Sequence, residues 1–269
     1  MTEETTFKWG VSPERLPRQY EDMAVVVRDA LSDNSPVRFL SVAACSDIHE
    51  PLKYLREVVD EFWFCDLFYF QKRRMRGRIT EAMSPWRLIE NEDEVMPLPI
   101  EMRECVGPTQ RTGHPQLGRS YRYVEPVVHS YRFQSPDTGR DVTVKFRNGC
   151  GAYALHREFE DGSLSIFMHR ADNPFGDGGS LLSILGHEGS ESPVPERRQL
   201  HATLMQKLTA PGIIISDGCC TKVSGFNIWD AGQEPKPFVF GDHTYTPIAE
   251  LDKRRFRTFA WRVDQSGHF

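Results

Sequence analysis

Hydrophobic residues recur along this chain with two periods, and segments of the two kinds alternate. Apolar residues in 17–31 lie three and four positions apart, which predicts a helix with one buried face. The runs 37–44 and 61–70 are short and almost continuously apolar, as in strands that are covered on both faces of a sheet. Helical spacing returns between them, over 50–60. The order strand, helix, strand predicts a βαβ unit with parallel strands.

The second half of the chain continues this alternation. Three further apolar segments predict strands, and two segments between them have helical spacing: strands 141–146, 163–168 and 213–217, helices 152–159 and 196–208. Two late segments, 237–240 and 257–263, predict strands that pair as an antiparallel hairpin at the sheet edge. The whole pattern predicts an α/β fold, a doubly wound, mostly parallel, Rossmann-like sheet with helices on both faces.

The middle of the chain breaks the pattern. Residues 84–136 contain many prolines and glycines and few apolar runs, which favours a long insertion or lid over a core element. We therefore expect a helical segment over 1–36, followed by one Rossmann-like domain over 37–269 that carries the insertion.

Composition narrows the class of protein. The chain has 269 residues, of which 39% are hydrophobic, enough for a sizeable core. Its net charge of −5 disfavours bulk nucleic-acid binding, which needs a basic excess, but leaves room for a local basic patch. No apolar run is long enough to cross a membrane, and the first ten residues lack a signal-peptide pattern. We expect a cytoplasmic protein with reduced cysteines, no metal site and no membrane partner.

A doubly wound sheet binds its ligand beyond the carboxyl ends of the strands, where the strand order reverses. The residues that follow the predicted strand ends at Ala44, Cys65, Phe146, Met168 and Ile215 are therefore the candidate site. This inference from the fold does not identify the ligand.

Two of these strand ends resemble a known family. The run 39–51 (FLSVAACSDIHEP) resembles the first motif of class I S-adenosylmethionine-dependent methyltransferases. It is most similar to the chemotaxis-receptor branch, in which a small-small-Cys-Ser turn ends the strand and a Glu-Pro pair opens the helix. The run 64–67 (FCDL), with a basic helix to Gly77, resembles the second strand of that branch and its acidic residue. The resemblance covers roughly 37–77 and 141–217.

The resemblance implies S-adenosylmethionine as the cofactor. Asp66 would accept hydrogen bonds from the ribose hydroxyls, Asn148 would hold the adenine edge, and Arg170 would pair with a carboxylate. His169 is the best candidate for a catalytic base, if the reaction uses one. The acceptor expected from the acidic balance is a protein side chain or a small molecule. The implied cofactor-binding residues are Ala43, Ala44, Cys45, Ser46, Glu50, Asp66, Asn148 and Arg170.

These residues also have purely structural interpretations. The turn 43–46 is compatible with an ordinary tight turn, and Glu50 with a helix start that the dipole stabilises. Asp66 is compatible with an ion pair to Arg73 or Arg74. The pair Asn148-Gly149 is a common turn signal. Arg170 is compatible with a surface ion-pair partner. His169 is compatible with a side chain that packs or forms a hydrogen bond.

The chain departs from the family pattern at four positions. Ala44 and Ile48 stand where the family turn usually has glycines, and a β-branched side chain restricts the approach of a ligand. After the fourth strand, Ala171 and Phe175 replace an Asn and a Tyr. These departures leave a second hypothesis open, a catalytically inactive cofactor-binding or protein-interaction module.

Overall fold

The structure, a computed structural model, describes residues 7–8, 23–31, 36–42, 48–66, 72–96, 109–112, 120–123, 126–149, 151–169, 200–217, 237–252 and 257–265. The helices in this part of the chain are α1 (Met23–Ala30), α2 (His49–Leu55), α3 (Lys72–Met83), α4 (Gly151–Glu158) and α5 (Leu200–Lys207). None of them is long and apolar enough to span a membrane. The strands are β1 (Phe7–Lys8), β2 (Arg38–Val42), β3 (Glu61–Asp66), β4 (Arg87–Val95), β5 (Thr109–Thr112), β6 (Ser120–Tyr123), β7 (Val127–Gln134), β8 (Asp141–Asn148), β9 (Leu164–His169), β10 (Leu208–Asp217), β11 (Phe238–Phe240), β12 (His243–Asp252) and β13 (Arg257–Gln265).

One large sheet organises the molecule. Its strand order is β1-β12-β13-β10-β9-β2-β3-β8-β7-β4, with β11 paired to β12, while β5 and β6 form a separate pair. The five central strands β10, β9, β2, β3 and β8 are parallel to one another. Numbered along the chain, these five have the order 5-4-1-2-3, which reverses between β2 and β9. The predicted doubly wound α/β fold is confirmed.

The two faces of the sheet carry different helices. Alternation along the strands sends Phe39, Phe62 and Phe64 to the face that α1, α2 and α3 cover, where their ring centroids lie 5.3–6.0 Å apart. Leu40 and Trp63 point to the opposite face, which α4 and α5 cover. Both faces are therefore buried, which explains the continuous apolar runs in the sequence.

Several predicted boundaries need correction. The strands β2 and β3 end at Val42 and Asp66, and the remaining predicted residues 43–44 and 67–70 lie outside the described part of the chain. The basic helix expected to end at Gly77 continues to Met83. Its buried side includes Met75 and Ile79, so apolar spacing carries the helix past the glycine.

The expectation that 84–136 lies outside the core is wrong for β4 and β7. Both strands extend the main sheet beyond β8 in antiparallel pairing. Val128, Tyr131 and Phe133 on β7 are buried. The sequence pattern missed these strands because their burial depends on tertiary pairing. β7 pairs with the parallel strand β8 on one side, and the polar strand β4 forms the edge of the sheet on the other.

The two late predicted strands exist, but they do not pair with each other. A strand absent from the prediction, β12, lies between them and pairs with both β11 and β13. Pro247 interrupts its sequence pattern, and the register shifts between Pro247 and Ala249. On the edge that pairs with β11, β12 also pairs with β1, where Phe7 is opposite Leu251.

An arginine network closes the amino ends of the parallel strands. Arg140, in the turn between β7 and β8, donates to the carbonyl oxygens of Arg56 and Val58 and to Asp60 Oδ1, the last at 2.6 Å. Asp60 Oδ2 accepts from the Val37 backbone N–H at 2.8 Å. Arg56 in turn donates to two carbonyl oxygens near the end of α3. The network ties the β7–β8 hairpin to the start of β2.

Candidate functional site

The carboxyl ends of β2 and β9 form the switch point of the sheet. The strands are neighbours in parallel register, with Ser41 opposite Met168 and Val42 opposite His169. The helix after β2 packs on one face and the helix after β9 on the other. Doubly wound folds bind ligands in the crevice outside the strand ends at such a point.

Two predicted site residues lie side by side next to this crevice. Asp66 ends β3 and Asn148 ends β8, and the two are register partners. They are 3% and 0% exposed, so both polar side chains are buried at the edge of the sheet. The Gly149 N–H donates to the Asp66 carbonyl oxygen at 2.6 Å, which fixes the two strand ends together. The structure thus brings together two residues that are far apart in sequence.

His169 ends β9 at the switch point. It lies between Val42 on β2 and Ser216 on β10. The residue is half-buried, and its Nδ1 is buried without a hydrogen-bond partner among the described residues. Burial lowers the pKa of His169 to about 4, so the imidazole is neutral at physiological pH. A neutral ring has one nitrogen that accepts a hydrogen bond and one that donates.

A glycine that sequence reasoning missed closes this edge. Gly151 opens α4 directly against the end of β2, and a Cβ atom there would lie 2.3 Å from Val42 Cγ1. Gly149, two residues earlier, has a φ of 152°, a backbone conformation that residues with a Cβ atom rarely adopt. The two glycines around Cys150 were the available signal. They let α4 start against the strand that leads into the predicted cofactor turn.

A buried ion pair lies next to Asn148 on the opposite face of the sheet. Arg147 is 2% exposed and donates to Glu158 at the end of α4. The Tyr153 ring lies 5.4 Å from its guanidinium carbon. This pair holds α4 against β8, and the sequence pattern did not indicate it because the partners meet only in the fold.

The remaining predicted residues divide into two groups. Glu50 lies half-buried in the first turn of α2, as expected. Ile48 is fully buried in the core cluster with Leu52, so its β-branched side chain packs inward, contrary to the expectation that it restricts a ligand. The others lie outside the described residues: Ala43, Ala44, Cys45, Ser46, Arg170, Ala171 and Phe175. Within the described part, no three His, Cys, Asp or Glu residues group as metal ligands.

Comparisons with known proteins gave only distant structural likenesses. No family model and no curated protein matches the chain. Trm1 from Pyrococcus horikoshii, solved with S-adenosyl-L-methionine, has a TM-score of 0.41 and 10% identity, covering 92% of this chain and 55% of its own. This chain thus spans little more than half of that protein. The putative methyltransferase yhhF from Escherichia coli has a TM-score of 0.36 and 10% identity, covering 96% and 90%. The chemotaxis-receptor branch gains no support from either.

Proposed function

We propose that this chain binds S-adenosylmethionine at the carboxyl edge of its parallel strands and transfers the methyl group to an acceptor. One observation carries the proposal: Asp66 and Asn148 are buried side by side at the strand ends next to the switch crevice. The motif resemblance over 39–51 and 64–67 supplies the identity of the cofactor.

The strand order supports this class over the nicotinamide dehydrogenases. In dinucleotide-binding domains a sixth strand continues the order 3-2-1-4-5-6. Here an antiparallel strand, β13, follows β10, and β12 lies beyond it. This antiparallel end of the sheet departs from the dinucleotide-binding strand order.

The residues of the proposed site have distinct tasks. A carboxylate at Asp66 accepts hydrogen bonds from two adjacent ribose hydroxyls, and the Asn148 amide offers a donor and an acceptor to a base edge. The amino terminus of α2, near Glu50, is proposed to face a polar tail of the cofactor. Arg170 is proposed to pair with a carboxylate.

The cofactor supplies an activated methyl group on a sulfonium, so the protein's task is to align the acceptor and exclude water. His169 is proposed to accept a hydrogen bond from an N–H or O–H of the acceptor. A pKa near 4 makes its imidazole a weak base, better suited to orient the acceptor than to hold a full proton. A protein side chain or a small molecule remains the expected acceptor.

Calorimetry with S-adenosylmethionine and S-adenosylhomocysteine tests the proposal. We expect both to bind, and Asp66→Asn to weaken binding more than roughly tenfold, because an amide loses the charge that strengthens hydrogen bonds to hydroxyls. Asp137→Asn, in the β7–β8 turn, is the matched control and should bind like the wild type.

Absence of binding by both ligands at millimolar concentration would overturn the proposal. Unchanged affinity in Asp66→Asn would remove Asp66 from the site. Binding without turnover over a panel of protein and small-molecule acceptors would favour the inactive module instead, which the substitutions at Ala171 and Phe175 motivate.

A further inference from the structure

The amino-terminal half of α3 is densely cationic. Five of its first seven residues are basic: Lys72, Arg73, Arg74, Arg76 and Arg78. The helix begins six residues after Asp66, so this half lies toward the carboxyl edge of the sheet. The remainder of the protein has an acidic balance, since the whole chain carries a net charge of −5. The positive charge is therefore local.

This placement opposes helix stability. A helix amino terminus carries a partial positive charge and favours acidic residues, yet the first turn of α3 has none. Lys72 and Arg76 are one turn apart, as are Arg74 and Arg78, and like charges at this spacing repel. A helix selected only for packing would not concentrate cations here. The arrangement favours an anionic partner that offsets the repulsion.

Two arginines of this half, Arg76 and Arg78, are accessible to such a partner. Arg76 is exposed and Arg78 is partly exposed. Neither forms an ion pair within the described part of the chain. Arg76 borders a groove along the helix that Gly77 and Thr80 also line. No atom lies within 4 Å of where a Gly77 side chain would begin, so the groove is open at that point.

We propose that the amino-terminal half of α3 is a docking surface for the phosphodiester backbone of a nucleic acid. At 1.5 Å rise per residue, the basic run extends about 9 Å, which is long enough to face more than one phosphate of a strand. Arginine pairs with phosphate in a bidentate geometry that suits this repeat. The surface goes beyond the proposed methyl transfer and does not depend on it.

A membrane surface fits this half of α3 less well. Interfacial helices insert an apolar face between lipids. The apolar residues of α3, Met75, Ile79 and Met83, are all buried in the protein core. The groove beside its outer face is lined by Arg76, Gly77, Thr80, Glu81 and Ser84, none of which is a large apolar side chain that could insert between lipids.

Fluorescence anisotropy of the full chain with labelled single-stranded and duplex oligonucleotides tests the surface. We expect salt-dependent binding by the wild type. Arg76→Gln/Arg78→Gln should lower affinity at least tenfold at low salt. The slope of log affinity against log salt should fall by about 1.5, since each lost phosphate contact removes about 0.7 to 0.9.

A matched double variant controls for net charge. Arg28→Gln/Arg157→Gln removes the same charge from exposed positions on α1 and α4 and should bind within twofold of the wild type. Glu81→Gln, which removes a carboxylate from the groove, should strengthen binding and keeps the test valid if the double arginine variant does not fold.

Four results would overturn this inference. They are no binding by the wild type, equal losses in the two double variants, no gain in Glu81→Gln, and tighter binding to anionic lipid vesicles or polyglutamate than to oligonucleotides. Because S-adenosylmethionine calorimetry is independent of these measurements, the docking surface and the proposed methyl transfer can fail separately.

Discussion

The two edges of the parallel sheet use polar side chains in opposite ways. At the amino edge, Arg140 and Asp60 donate and accept several hydrogen bonds that join a hairpin, a loop and β2. At the carboxyl edge, Asp66 and Asn148 place a carboxylate and an amide at adjacent strand ends, and His169 has a buried Nδ1 without a described partner.

The difference separates stability from binding within one sheet. Buried polar groups that are fully paired contribute to stability, whereas an unpaired buried group costs free energy. At the amino edge the partly exposed Arg140 and Asp60 are hydrogen-bonded, whereas the buried Nδ1 of His169 has no partner among the described residues. We therefore expect changes at the amino edge to act on folding, and changes at the carboxyl edge to act on ligands or on pH dependence. Three variants test this contrast, taken from the largest expected effect to the smallest.

Arg140→Ala should lower the free energy of unfolding by about 3 kcal/mol, because it removes the shared partner of two carbonyl oxygens and the Asp60 carboxylate. Urea denaturation measures the change. Arg132→Ala is the control, since its ion pair with Glu90 is exposed and should contribute less than about 1 kcal/mol. Equal losses of stability in the two variants would show that the Arg140 network stabilises the protein no more than an exposed ion pair does.

His169→Gln should make the free energy of unfolding depend less on pH in the acid range. The folded pKa near 4 lies below the ordinary histidine pKa of 6.5, so between these values the unfolded chain binds a proton that the folded chain does not. Wild-type stability should therefore be complete above about pH 6.5 and fall on acidification, by about 2 to 3 kcal/mol at pH 4 from this residue.

Denaturation series for the wild type and His169→Gln over this pH range measure the difference. Carboxylates titrate in both proteins, so only the gap between the two curves reports on His169. Parallel curves would show that the imidazole does not stay neutral in the fold.

Gly151→Ala should lower the free energy of unfolding by about 2 kcal/mol, because the new methyl group would overlap Val42 at the end of β2. Gly77→Ala is the matched control in α3, where the added methyl meets open space. It should raise stability by about 0.5 to 1 kcal/mol through helix propensity. Thermal or urea unfolding gives both values, and a neutral Gly151→Ala would contradict the close approach at the carboxyl edge.

The central strands were predictable because burial on both faces makes them continuously apolar. Segments 37–44, 61–70 and 213–217 therefore marked β2, β3 and β10. The edge strands lacked this signal. β4 has glutamates at 90, 92 and 94 that face solvent, and β12 contains a proline, so neither carries the apolar pattern of a strand.

The candidate site was predictable where it follows from strand ends alone. Asp66, Asn148 and His169 occupy the edge that the βαβ pattern indicated. The contact of Gly151 with Val42, the Arg147–Glu158 pair and the Arg140 network were not predictable, because each joins segments whose separation in space depends on the sheet order. The sequence patterns define elements, whereas these contacts depend on how the elements assemble.

The pairing of β1 with β12 has a consequence for synthesis of the chain. Phe7 and Leu251 are hydrogen-bonded neighbours in strand register, although 244 positions separate them. During translation the first strand emerges long before its partner exists, so that flank of the sheet is assembled late. Contacts of such high sequence separation form slowly and leave strand edges open to wrong partners. Removing residues 7–8 should therefore affect the yield of correctly folded protein in cells more than the stability of molecules that have already folded.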